Sequence, residues 1–167
     1  MYGLRIAEAL HLNGIMDIEA IQHNGSLKII EIDARLPSQT PTAVYHSSGT
    51  NYLTKLKDIF LLKKEPIISE THNADAVIYE HLQISDGALD VRGEHIIAGA
   101  RPVAIIEDFF GADEAITDYT PKTSNWVATI IIKERRIEDA WDRHRRVIET
   151  IARCMKLTYC KEETPFV

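Results

Sequence analysis

Apolar residues recur along this chain with two different periods, and the switch between them predicts an α+β fold. From Tyr2 to Leu12, Leu4, Ala7, Leu10 and His11 fall near helical spacing, and Asn13-Gly14 supplies a residue pair suited to ending a helix. No polar cap precedes Tyr2, as expected of a piece cut from something longer. Two Ile-rich runs follow, Ile15 to His23 and Leu27 to Arg35, separated by Asn24-Gly25-Ser26, and they read as a β-hairpin. Asn51 to Leu62 returns to helical spacing through Leu53, Leu56, Ile59 and Phe60, behind the cap-like residues Ser48, Thr50 and Asn51. Past Leu61 the texture changes at Lys63-Lys64-Glu65-Pro66, and strand-like runs appear at Ala74 to Ile84, His95 to Ile106 and Trp126 to Lys133. Turns at Asp86-Gly87, Arg92-Gly93 and Gly111-Ala112 divide them into short antiparallel pieces. Arg136 to Leu157 closes the pattern as an amphipathic helix with Ile137, Ala140, Trp141, Ile148, Ile151, Ala152 and Met155 on one stripe. Its Arg143, Arg145 and Arg146 are expected on the solvated face. Two lobes result, residues 1–60 and 61–167.

The hairpin carries the first chemistry. Alternation along the first run sends Asp17, Glu19 and Ile21 one way and Met16, Ile18 and Ala20 the other, while the second run sends Ile29, Glu31 and Asp33 together. Register decides whether the acids meet. A two-residue turn places Glu19 across from Ile30; a longer loop or a bulge places Glu19 across from Glu31 and Asp17 across from Asp33. Four carboxylates on one face repel one another unless a cation offsets them, and an all-oxygen set suits a hard ion such as Mg2+. A solvated strand face is the plainer alternative.

Composition narrows the partners. The chain has 167 residues, 45% of them hydrophobic, enough to bury a core. Its 19 basic and 25 acidic residues give a net charge of -6, and no basic cluster is interleaved with aromatics, which argues against nucleic acid. With no long apolar run and no signal-peptide pattern, neither a membrane partner nor export is expected, and a cytoplasmic location is. Cys154 and Cys160 lack metal-ligand spacing and read as reduced thiols. The seven histidines form no zinc-binding pattern.

The string Gly14-Ile15-Met16-Asp17-Ile18-Glu19, taken with Glu31-Ile32-Asp33-Ala34-Arg35, resembles the metal motif of the ATP-grasp ligases. The following stretch, Leu36 to Tyr45 and then Ser47-Ser48-Gly49-Thr50-Asn51, is similar to the branch of that superfamily that works in pyrrolysine biosynthesis. The resemblance implies that Glu19, Glu31 and Asp33 hold two Mg2+ ions that bridge ATP, with Glu31 shared between them. It implies that Arg35 faces the reacting phosphate or carboxylate, and that Asp33, Arg35, Pro37 and Ser38 border an amino-acid substrate. Asp33 departs from the Asn that many such relatives carry, which adds charge to the site or meets a substrate amino group. Two prolines are expected to keep Pro37 to Tyr45 out of helix, as a loop lining the site.

The implied reaction is ATP-dependent: the carboxylate of 3-methyl-D-ornithine is phosphorylated and the side-chain amine of L-lysine attacks the acyl phosphate. The implied fold is the C-terminal part of an ATP-grasp core, an antiparallel sheet with flanking helices, followed by a small antiparallel β lobe with a terminal helix. In that superfamily the nucleotide-clamping lysines and glycine-rich loop precede the segment matched here. An N-terminal ATP-grasp half, from the same gene product or a separate chain, is therefore expected as a partner, and no turnover is expected without it. A homodimer is also compatible with the sequence. Glu80, His81, Glu94, His95 and Arg101 are polar residues of the second lobe with no assigned role. Two other readings stay open: a different ATP-grasp enzyme, such as a carbamoyl-phosphate synthase or another amino-acid ligase, and a non-catalytic module that binds metal or an amino acid.

Overall fold

A computed structural model describes residues 2–64, 74–93 and 95–161. The chain is α+β and divides into two compact units, Met1–His72 and Asn73–Val167.

In the first unit, helix α1 (Tyr2–Ala9) precedes the hairpin β1 (Asp17–His23) and β2 (Ser26–Asp33). The residue that ends α1 is His11 rather than Gly14. His11 takes a left-handed φ of 48°, Leu12 N–H bonds back to Ala7 O at 2.9 Å and His11 N–H to Glu8 O at 3.1 Å, which together satisfy the last helical carbonyls. Helix α2 (Thr40–Ser48) occupies the stretch expected as a loop. Pro41 sits in its first turn, where a missing N–H breaks no helical bond and the fixed φ suits the helix, so the proline starts the helix instead of excluding it. Helix α3 (Tyr52–Phe60) begins as expected at Asn51, whose Oδ1 accepts the Thr54 N–H at 3.1 Å.

The second unit is a six-stranded sheet: β3 (Ala76–Ser85), β4 (Ala88–Arg92), β5 (Ala104–Glu107), β6 (Glu114–Thr117), β7 (Trp126–Glu134) and β8 (Tyr159–Lys161), in the order β5-β6-β7-β3-β4-β8. Its pairings are antiparallel except β4 with β8, which is parallel. The run His95 to Ile106 is not one strand. It holds a helical turn, α4 (His95–Ala98), and only its end, β5, is extended. Gly99 and Pro102 between them weaken and block strand pairing, which explains the break.

Helix α5 (Ile137–Met155) covers one face of this sheet. Paired residues on that face, Ile78 with Ile132, Leu82 with Ala128 and Ile84 with Trp126, join Val147, Ile148 and Ile151 of the helix in the core. At one end Phe109, Phe110, Tyr119 and Trp126 form a cluster of edge-to-face and stacked rings, and Trp126 Nε1 donates to Met155 Sδ at 3.4 Å. At the start of α5, the Glu138 backbone N–H and the Arg136 guanidinium hold the Glu138 carboxyl below its ordinary value.

Arg143 does not lie on a solvated face. Its guanidinium spans Asp113 (Nη2 to Oδ1, 3.0 Å; Nη1 to Oδ2, 3.2 Å) and Glu134 Oε1 (3.2 Å), and Nε donates to Gly111 O at 2.9 Å. It ties α5 to the segment before β6 and to the end of β7. Arg145 pairs with Asp142 on the same helix.

Candidate metal and substrate site

The hairpin uses both devices that the sequence left open. Asn24 and Gly25 alone form the turn, with left-handed φ values of 49° and 72° that match the twist of paired strands. A bulge then shifts the register between Glu19 and Ala20, so Ala20 faces Ile29 while Glu19 faces Glu31. Ile30 is the extra residue, and beyond it Ile18 pairs with Ile32 and Asp17 with Asp33.

The bulge sorts the side chains. Residues paired across an antiparallel ladder share a face, so Asp17, Glu19, Glu31 and Asp33 lie together. Ile29, expected with the acids, instead joins Ala20 on the apolar face, because the extra residue interrupts strict alternation. The same shift sets Lys28 opposite Ile21 in the ladder. On the apolar side, Gly3 and Ile6 of α1 meet Ile18, Ala20 and Ile29 around a cleft of about 340 Å³. A Cβ at Gly3 would stand 3.7 Å from Ile18 Cδ1, an ordinary packing distance.

Arg35 Nη2 donates to Asp33 Oδ2 at 2.8 Å, and both groups are partly exposed. Pro37 is buried, and Ser38 is exposed just ahead of α2. Among the described residues no three His, Cys, Asp or Glu side chains converge on one point. The donor chemistry nevertheless fits Mg2+, which binds through one or two carboxylates and completes its shell with water and phosphate oxygens. Glu19 opposite Glu31 is such a pair, and Arg35 with Asp33 flanks it.

In the second unit, His81 and Glu80 have structural partners. His81 Nδ1 lies 2.7 Å from Thr129 Oγ1 in the neighbouring strand. On the opposite face Glu80 Oε2 lies 2.6 Å from Nε2 of His144, which is 1% exposed and stands beside Trp141 on α5. His95 opens α4, and Glu94 lies outside the described residues. Arg101 Nε bonds Asp118 Oδ2 at 3.1 Å, a partner the sequence gave no signal for because 17 residues separate them. Cys154 is a free, exposed thiol. No described helix is long and apolar enough to cross a membrane.

No family model matches the chain. It is similar to three curated proteins named 3-methyl-D-ornithine–L-lysine ligase. Identity over 94 residues is 46% with that of Methanosarcina acetivorans, 47% with that of Methanosarcina mazei and 46% with that of Methanosarcina barkeri. Those 94 residues are 56% of this chain and 25–26% of each relative, so the matched stretch spans about a quarter of the relatives' length, in their C-terminal part.

Proposed function

We propose that this chain is the C-terminal portion of an ATP-dependent carboxylate–amine ligase that joins 3-methyl-D-ornithine to the side-chain amine of L-lysine, in the cytoplasm and in pyrrolysine biosynthesis. The observation that carries this reading is the 46–47% identity over 94 residues to ligases of that name. The acidic hairpin face supports it, because the ladder sets Glu19 against Glu31 and Asp17 against Asp33.

In this reading the γ-phosphoryl group of ATP passes to a carboxylate oxygen, giving ADP and an acyl phosphate. The lysine amine then bonds the carbonyl carbon, the carbon–oxygen bond to phosphate breaks, and the nitrogen loses a proton. Glu19 and Glu31 hold the metal, and Asp33 completes the acidic face. Bound there, Mg2+ supplies charge neutralisation on the transferred group. Arg35 offers a planar set of donors to the phosphate or the substrate carboxylate, and Asp33 keeps that guanidinium oriented until substrate arrives. The loop through Pro37 and Ser38 borders the amino-acid substrate, with Pro37 anchored by burial. The partner is an N-terminal ATP-grasp half carrying the nucleotide clamp.

The test mixes this chain with the separately expressed N-terminal half of a relative, ATP, Mg2+ and both amino acids, and follows ADP and amide. Product should need both chains and fall at least about a hundredfold with Glu31→Ala, the scale expected when charge stabilisation of a phosphoryl-transfer step is removed. The chain alone should give no turnover. A mixture shown to associate that makes no amide would count against the reading.

A further inference from the structure

A cleft of about 700 Å³ within the second unit opens where the loop after α4 meets the β6–β7 connection. Its charged lining among the described residues is a single ion pair, Arg101 with Asp118. Asp118 is anchored: its side chain is 6% exposed and its Oδ1 accepts the Val127 N–H at 2.8 Å. Arg101 is 54% exposed and is aimed by two bonds, Nε to Asp118 Oδ2 and Nη2 to Asn125 O at 2.8 Å. Neither group is used up. The remaining guanidinium hydrogens of Arg101 meet no acceptor among the described residues, and each Asp118 oxygen accepts one bond and can accept another.

A cation and an anion held side by side at a cleft wall, with no net charge around them, match a ligand that itself carries one of each at short separation. We propose that this cleft binds the backbone end of a free α-amino acid, its carboxylate on Arg101 and its ammonium on Asp118. The ligand adds to the pair without displacing it, since both donors and acceptors have capacity to spare. Neutral hydrogen-bonding groups, Gln83, Ser85 and Asn125, line the same space. No further acid does among the described residues, so a second ammonium at the far end of the ligand finds no counter-charge and points outward. Recognition is thus of the amino-acid head rather than the side chain. The argument uses only this cleft and does not depend on the ligase reading, although L-lysine satisfies both.

The experiment is a titration of the isotope-labelled full chain followed by amide resonances, with L-lysine, L-norleucine, cadaverine and 6-aminohexanoate as probes. L-lysine and L-norleucine should shift the Gln83 and Asn125 resonances saturably and with similar affinity. Cadaverine, which lacks the carboxylate, and 6-aminohexanoate, which lacks the α-ammonium, should bind at least about tenfold more weakly, as expected from loss of one charge-assisted contact. Arg101→Gln should weaken L-lysine by a similar factor with the Trp126 near-ultraviolet signal retained. Ser124→Asp, an exposed change at the cleft that leaves the ion pair in place, should favour L-lysine over L-norleucine severalfold, because the added carboxylate can meet the second ammonium that only L-lysine carries. Absence of saturable shifts at Gln83 and Asn125, or cadaverine binding as well as L-lysine, overturns the proposal. Saturable binding without ligation by the complemented chain would retain this site and count against the ligase reading. Ligation with an Arg101→Gln KM for lysine unchanged, in a chain showing no cleft shifts, would do the reverse.

Discussion

Asp33 is the residue where charge is most concentrated and most easily tested. It faces Asp17 across the ladder and holds Arg35 at 2.8 Å. Because both partners of that ion pair are exposed to solvent, Asp33→Asn should change stability by less than about 0.5 kcal/mol. It should still weaken divalent-ion binding severalfold, read by calorimetric titration with Mg2+, since an amide oxygen carries no net charge. Arg143 is the opposite case. Its fork reaches two carboxylates and two carbonyls from a partly buried position, and Arg143→Ala should cost roughly 1–3 kcal/mol in a denaturant unfolding experiment. Helical spacing read from sequence places Arg143 off the apolar stripe correctly and then misassigns it to solvent. Its partner Asp113 is 30 residues away, and no local pattern announces such a contact.

Among the elements, strong periodicity in the sequence is enough to locate the hairpin, α3, β7 and α5. What escaped were elements too short for a pattern to repeat, such as β6 with four residues, and elements whose local signals conflict, such as α2 with its proline. The hairpin register lay between these extremes. Both candidate registers were legible, but choosing one required knowing that a two-residue turn and a bulge coexist. The left-handed turn is accordingly sensitive: Gly25, at φ 72° with open space where a Cβ would go, has backbone strain as its only obstacle to substitution. Gly25→Ala should destabilise the hairpin by about 1 kcal/mol, seen as roughly fivefold faster amide exchange along β1 and β2.

For the molecule as a whole, the two units differ in how they are held. The second has the buried aliphatic and aromatic core. The first leaves Leu4, Leu10, Ile21, Leu27 and Leu53 more than half exposed, and Ile30 at 65%. Residues 73–167 expressed alone should therefore melt cooperatively with an intact Trp126 signal, whereas residues 1–72 alone should show no cooperative transition by circular dichroism. Within the second unit the central pairing joins β3 to β7, and His81 meets Thr129 across 48 residues of chain. The β3–β4 hairpin needs only the Asp86-Gly87 turn and can close early, but it presents half a core until β7 arrives. Assembly must wait for that long loop to close, which places this domain among slow folders whose nascent β3, rich in Ile, Val and Leu, spends time unpaired and open to association with other chains.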